Sequence, residues 1–360
     1  MDYKDLTKNL QKLIQCAEEN RTNTRMYVIA TTKSDAASVP DYPLHSVSTS
    51  YLSRQELDEL VQNFKYYCDY LEVYTDVEAF LKDYCNRKLR VEPTIIFETS
   101  ARGTGRGKDA FIPALCDIFQ LPHLGAEATA GALCSSKHQW ISALKGNSVP
   151  VPDSYVYHHG QWLRTPCLGK NYILKLNYEC ASIGLSTDCV MVNDGTNLTP
   201  KAAQMAHDYR QPVIAQEFIE GFEVEVPILI NPAFRAALPP VGLANGKQLY
   251  FSDGFFDYDS IYFDDYIPYD FREIMPETAE KMRCCARQII DLLDLSGYMR
   301  IDFRVRKDGS FFPFDINNDP DINTSGSFLK SVELLGFGQK ELAGILLGNA
   351  WFNHSKSEYR

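Results

Sequence analysis

Met299-Arg-Ile-Asp-Phe-Arg-Val-Arg-Lys-Asp-Gly-Ser-Phe-Phe-Pro-Phe-Asp-Ile-Asn317 reads as two strand-like runs flanking Asp308-Gly309, a dipeptide that favours a two-residue hairpin turn. With that turn Lys307 faces Ser310. The same register sets Asp302 opposite Asp315, Arg300 opposite Asn317 and Arg304 opposite Pro313. Side chains alternate with period two along a strand, so Arg300, Asp302, Asp315 and Asn317 share one face. Directly opposed carboxylates repel unless a cation lies between them. Two aspartates and an asparagine beside an arginine are hard oxygen donors, a set that fits magnesium held together with phosphate oxygens. The same alternation describes a solvated sheet face. The following Asn318-Asp-Pro-Asp-Ile-Asn323 loop favours the site.

Upstream, Tyr172-Ile-Leu-Lys-Leu176 is a strand with one lysine, Lys175, followed by Asn177-Tyr-Glu-Cys-Ala-Ser-Ile-Gly-Leu185. A lysine leaving a strand into a small-residue loop suits phosphates, with ammonium for charge and backbone N–H groups for close approach. The alternative is a surface lysine before an ordinary turn. Val213-Ile-Ala-Gln-Glu-Phe-Ile-Glu-Gly-Phe-Glu223 runs from a strand through Gly221 into another. Phe218 and Ile219 could wall a purine, and Glu223 could accept from ribose hydroxyls.

The 360 residues are 45% hydrophobic and 23% charged, enough for two or three domains with a substantial core. No apolar run approaches the length of a membrane span. The polar first twenty residues lack an apolar signal core, and the ten scattered cysteines show no metal-like spacing, so reduced thiols in the cytoplasm are expected. A net charge of −11 argues against nucleic acid but not against a nucleotide, which needs only local cations. Alternating helical and strand patterns place a parallel α/β unit at 1–125, with strands at Met26–Thr31 and Thr94–Phe97. A second unit spans 126–216, with one helix over Ala130–Lys145, and a third spans 217–360.

In their order these pieces resemble the D-alanine–D-alanine ligases and their ATP-grasp relatives, from about Thr94 to the C-terminus. Gln120-Leu-Pro-His-Leu-Gly-Ala-Glu-Ala-Thr-Ala-Gly-Ala-Leu-Cys-Ser-Ser-Lys137 looks like the family's lead into its first ATP lysine. The resemblance implies an α/β (α+β) three-domain ATP-grasp fold with a Rossmann-like N-terminal domain. It also implies a cytoplasmic ligase that joins a carboxylate to an amine through an acyl phosphate. ATP and two magnesium ions, replaceable by manganese, would be its cofactors, and small molecules its partners. A homodimer is compatible; nucleic acid and membrane are not expected. Lys137 and Lys175 would contact phosphates, with Ser182 in the loop above them. Gln216, Glu217, Phe218 and Ile219 would line the adenine site, and Glu223 would hold the ribose. Asp302, Asp315 and Asn317 would ligate metal, while Arg300 would steady the transferring phosphoryl group. Such catalysis works mainly by positioning and charge neutralisation. A thiol or hydroxyl acceptor, or nucleotide binding without catalysis, are the alternatives.

The departures fall in the substrate half. The bridging metal ligand, usually glutamate in the family, is Asp315. Ile261 takes the place of a lid lysine in Phe256-Asp-Tyr-Asp-Ser-Ile-Tyr262. Asp321 replaces the glycine whose amide serves the oxyanion. Ala101-Arg-Gly-Thr-Gly-Arg-Gly-Lys-Asp109 replaces the loop expected to hold the first D-alanine. Arg102, Arg106 and Lys108 in that loop are candidates for a substrate with an additional anionic group. The aromatic and acidic stretch Phe251–Phe271, with Tyr258, is a candidate lid that excludes water from an acyl phosphate.

Overall fold

The computed structural model describes residues 2–38, 40–86 and 94–355; Met1 and residues 39, 87–93 and 356–360 lie outside it. Three sheets follow one another along the chain. The first is parallel, in the order Tyr70–Tyr74, Arg25–Ala30, Thr94–Thr99, His123–Leu124. Its inner strands, RMYVIA and TIIFET, are apolar almost throughout, as strands covered on both faces must be. The edge strand Tyr70–Tyr74 (YLEVY) buries only Tyr74 and so gives no apolar run to read. Helix Arg54–Phe64 starts with a capping box between Ser53 and Glu56.

The central sheet is antiparallel and carries Gln161–Trp162, Ser154–His158, Val213–Glu217, Asn171–Leu176 and Val190–Val192 in that order. The largest sheet runs Ile267–Asp270, Val241–Ala244, Gly221–Asn231, Gly297–Val305, Phe311–Asn317, with Phe234–Ala237 and Tyr250–Phe251 also paired to Gly221–Asn231. Helix Pro276–Leu293, opened by proline at its first position, buries one face against this sheet.

The single helix expected over Ala130–Lys145 is two, Ala128–Cys134 and Lys137–Gly146, parted at Ser135-Ser136. The break has a use. Lys137 N donates to Asn177 O at 3.1 Å, which ties the start of the second helix to the end of the Lys175 strand.

The first sheet shares its core with the C-terminal helix Gln339–Ser355, which packs on Tyr3–Glu19. The two helices approach closely at Gly348, where a Cβ would lie 2.0 Å from Leu13 O. That contact fixes the distance between chain ends and the first sheet. Gly348→Ala should therefore cost about 1–3 kcal/mol, the usual penalty of overpacking. Urea unfolding reads this directly, and an unchanged midpoint would contradict the packing.

Candidate active site

The hairpin reaches its register by a route the dipeptide Asp308-Gly309 does not reveal. Arg306 N donates to Ser310 O at 2.8 Å and Gly309 N to Arg306 O at 3.0 Å, so the turn holds three residues, Lys307 to Gly309. Gly309, at φ 83°, supplies the left-handed residue that such a turn needs. The expected Lys307–Ser310 pairing thus slips by one, and Pro313 faces Phe303, not Arg304. A bulge at Phe314 then restores the count. Asp302 does face Asp315, and Arg300 does face Asn317. Bulges re-aim side chains, and here the Phe314 ring lies under the Lys175 ammonium, 4.6 Å from Nζ to the centroid.

On the other side of Gly297–Val305, strand Gly221–Asn231 sets Glu225 opposite Asp302 and Glu223 opposite Arg304. Glu225, Asp302 and Asp315 therefore stand in a row across three adjacent strands. Cations answer them. Arg300 donates to both oxygens of Asp302, Nε at 2.7 Å and Nη2 at 2.9 Å, and its Nη2 lies 2.8 Å from Glu225. Lys137 Nζ donates to Asp315 Oδ1 at 3.0 Å and to Glu179 O at 2.8 Å. Arg304 Nη2 stands 2.8 Å from Glu223 Oε2, but without hydrogen-bond alignment, so that buried oxygen keeps a free lone pair.

These contacts set the protonation. Burial pushes Asp302 and Glu225 up, Glu225 to about 8, against the pull of Arg300. Burial also acts on Asp315, but Lys137 and Lys175 outweigh it and hold this carboxyl below its ordinary range. Burial opposes the charge on Arg300; Asp302 and Glu225 reverse that and raise it. Lys175 falls to about 8 because it is buried, with Lys137 and Arg304 adding repulsion against the pull of Asp315.

A cavity of about 690 Å³ opens between the central and largest sheets, lined by Lys137, Lys175, Ser182, Gln216, Glu217, Phe218, Ile219, Glu223 and Asp315. Ile173, Phe256 and Phe314 add apolar wall. The loop above is strained: Ala181 and Ser182 hold φ of 49° and 52°, a cost that clusters at functional sites. Ser182 Oγ donates to Phe256 O at 2.7 Å, fastening this loop to the Phe251–Phe271 segment. A cleft of about 1240 Å³ adjoins the cavity and is lined by Arg300, Asp302, Asn317 and Asp321. Ser182, Glu223 and Asp315 line both.

The oxygen donors Asp302, Asp315 and Asn317 fit magnesium only in part. Among the described residues no three Asp, Glu, His or Cys side chains form a cage. Two carboxylates and an amide leave positions for phosphate oxygens and water, which is how magnesium is usually held at nucleotide sites. In the ligand-free arrangement Lys137 and Arg300 already neutralise these carboxylates, so the set is built for positive charge.

Four expected residues lie elsewhere. Arg102 pairs with Asp76 at 2.9 Å, and Arg106 donates to the Tyr178 hydroxyl at 2.9 Å. Lys108 is buried 3.2 Å from Glu179, and none of the three lines the cavity or the cleft. Burial works against charge on Lys108, but neighbouring negative groups, Glu179 among them, hold its pKa above the ordinary range. The loop is thus spent on internal pairs, and the expectation of an anion receptor there loses its geometric basis. Tyr258 stacks on His45 and donates to Ser46 O at 3.3 Å, also outside both lining sets. The sequence reading missed Glu225, Arg304 and Glu179. The alternation Glu223-Val-Glu225 carried the signal for the first; Glu179 had none.

A cavity clasped by two sheets and lined by lysines and carboxylates is the arrangement of an ATP-grasp enzyme. The chain belongs to the D-ala D-ala ligase C-terminus family, whose model matches residues 139–348. By class it is an ATP-dependent carbon–nitrogen ligase. The D-alanine–D-alanine ligase of a Thermoanaerobacter species is 26% identical over 260 residues, covering 69% of each chain. That of Ralstonia nicotianae is 29% identical over 218 residues, covering 59% of this chain and 62% of the relative. The D-alanine–D-alanine ligase of Bacillus anthracis complexed with ATP shares the fold at a TM-score of 0.64 and 14% identity, covering 91% of this chain and 97% of that one. The ligase of Coxiella burnetii does so at 0.61, with 14% identity and coverage of 92% and 96%.

Glu179 joins separate stretches of chain, because it accepts from Lys108, from the Tyr42 hydroxyl at 2.6 Å and from Gln211 at 3.3 Å. Glu179→Ala leaves Lys108 buried and uncompensated, and should destabilise the protein by about 3–5 kcal/mol. Replacing the pair together, Glu179→Leu with Lys108→Met, should recover most of that loss. Chemical denaturation of the three variants checks both statements.

Proposed function

We propose that this ligase activates a substrate carboxylate with ATP and transfers the acyl group to an amine, with Lys175, Lys137, Arg300 and the Asp302–Asp315 pair as its working groups. The observation that carries the reading is the joining of cavity and cleft at shared residues, Ser182, Glu223 and Asp315. A nucleotide in the first would present its terminal phosphate to a carboxylate in the second. Lys137 and Lys175 bind the phosphates. The Glu217 and Phe218 N–H groups are already used, on Asp153 O and Asn171 O, so the adenine edge falls to Ile219, between Gln216 and the Phe218 ring. Glu223, with its free lone pair, accepts from the ribose.

Asp302, Asp315 and Asn317 hold magnesium, which supplies charge neutralisation at the phosphate oxygens. Arg300, buried between Asp302 and Glu225, keeps a fixed positive charge at the boundary where the carboxylate oxygen meets phosphorus. The carboxylate displaces ADP to give an acyl phosphate, and the amine then attacks the acyl carbon and expels phosphate. The Phe251–Phe271 segment excludes water during this interval. The ten free thiols support a reducing compartment, the cytoplasm. Among the described residues no helix is long and apolar enough to cross a membrane.

ADP release should require carboxylate and amine together. Asp302→Asn should nearly abolish it, and normal turnover in that variant at limiting magnesium would contradict the metal assignment. Removal of a charge-assisted phosphate contact costs about 2–4 kcal/mol, so Lys175→Met should lower turnover by about 10²- to 10³-fold.

The pH behaviour of Lys175 gives an independent check. In the free protein its charge is lost as pH rises through about 8, and a bound triphosphate favours the charged form. ATP binding at pH 8 should therefore take up protons that binding at pH 6.5 does not. Calorimetry in buffers of different ionisation heat should show this difference in the wild type and not in Lys175→Met. Equal uptake in both would remove Lys175 from the phosphates.

A further inference from the structure

The cleft beyond the carboxylate row is acidic. Asp321, Asp264 and Glu56, from three separate stretches of chain, line it, and Lys33 and Arg300 are the cations among its lining residues. Arg300 is committed to Asp302 and Glu225. Lys33 stands over the Tyr262 ring, 5.1 Å from its centroid. Glu56 is also committed, accepting from Ser53 N and from Asn323 Nδ2, each at 2.6 Å. The two aspartates are less satisfied. Asp321 accepts from Asn323 N through Oδ1 at 2.9 Å, and Asp264 receives the Tyr266 hydroxyl at 3.3 Å. Burial pushes Asp321 up to about 7, with Glu56 and Asp264 adding repulsion against Arg300. Burial and Glu56 raise Asp264 as well, against Lys33. Both shifts disfavour the ionised carboxylates, and a cation seated between the two would restore their charge.

A second, independent observation points to a ligand at the same place. Thr49 Oγ1 lies on this cleft in a residue only 8% exposed, and it has no hydrogen-bond partner. A buried hydroxyl left unpaired is unfavourable. Glu223 Oε2, buried on the same cleft, has Arg304 Nη2 at 2.8 Å but no aligned hydrogen-bond donor. They mark a volume that polar atoms of a bound molecule complete.

We infer that the cleft takes an amino acid bearing a second amino group on its side chain, whose ammonium seats between Asp321 and Asp264 while its reacting carboxylate lies toward Arg300. The inference rests on the ligase reading above and names the substrate class of that site. It reverses the sign suggested by Arg102, Arg106 and Lys108, which are paired outside the cleft. Asp321, a buried carboxylate on the cleft with one hydrogen bond, is a group that a cationic substrate group pairs with. Thr49 adds a hydroxyl contact to the same molecule.

The test measures binding apart from turnover. With the full-length protein saturated with ADP and magnesium, calorimetry would compare lysine and ornithine with alanine and glutamate, each as both enantiomers. A hydrogen-bonded charge pair of about 1.5–3 kcal/mol predicts that the dibasic compounds bind at least about tenfold more tightly than alanine, with glutamate weakest. Asp321→Asn and, independently, Asp264→Asn should each flatten that order, and unchanged ADP affinity shows that a variant is folded. Alanine or glutamate binding as tightly as lysine, or an order preserved in both variants, overturns the inference. ADP release from ATP with the same compounds and an amine panel is scored separately. Selective lysine binding without any ADP release would sink the ligation reading and leave the cationic site standing.

Discussion

Three carboxylates, Glu225, Asp302 and Asp315, stand side by side across three hydrogen-bonded strands, and much else in the structure answers the repulsion among them. Neighbouring like charges on a sheet face are unfavourable, and burial makes them more so. Arg300 is clamped between the first two, and Lys137 is brought to the third by a helix that starts where it does because Ser135-Ser136 breaks the chain. Lys175 and Arg304 complete the balance, with a lysine whose charge is lost as pH rises through about 8. A site this heavily compensated is costly for stability alone. A nucleotide with its metal would replace internal pairing by pairing to ligand.

The architecture makes that exchange feasible. The central sheet contributes Lys175 and the Gln216–Ile219 wall, the largest sheet contributes the carboxylate row, and the cavity lies between the two. Residues before the Thr94–Thr99 strand supply the far side of the cleft, including Lys33, Thr49 and Glu56; the segment carrying Thr49 packs through Val47 and Tyr51 into the core of the central sheet. Ser182 and Phe256 join the loop on one side to the segment on the other. The cavity is lined by apolar groups with Lys137, Lys175 and Arg304; the cleft is lined by more carboxylates than cations.

How far the residues could be read in advance depended on whether their signal was local. Asp302 facing Asp315 followed from period-two alternation and a turn, although the turn was misjudged and the Phe314 bulge happened to correct it. A bulge adds a residue without a compositional mark, so no alternation could have shown it. The Pro276–Leu293 and Arg54–Phe64 helices carry local signals, a proline at the first position and the Ser53/Glu56 capping box. The Tyr70–Tyr74 edge strand had no apolar run, and the Ser135-Ser136 break looks like helix until Asn177 is beside it. Arg102, Arg106 and Lys108 misled because a glycine-rich basic loop says nothing about its partners. Asp76, Tyr178 and Glu179 are distant in sequence, and only the fold brings them together. Asp264 and Asp321 were invisible as a pair for the same reason.

The central claim, that the opposed aspartates hold the metal of a bound nucleotide, is tested most directly by locating the ion. Manganese titrated into the protein and followed by electron paramagnetic resonance should bind weakly alone, since two carboxylates and an amide leave its shell incomplete, and tightly once ATP is present. Asp302→Asn and Asp315→Asn should each abolish the tight, ATP-dependent binding. Tight binding without nucleotide, or binding undiminished in both variants, would place the metal elsewhere and contradict the account.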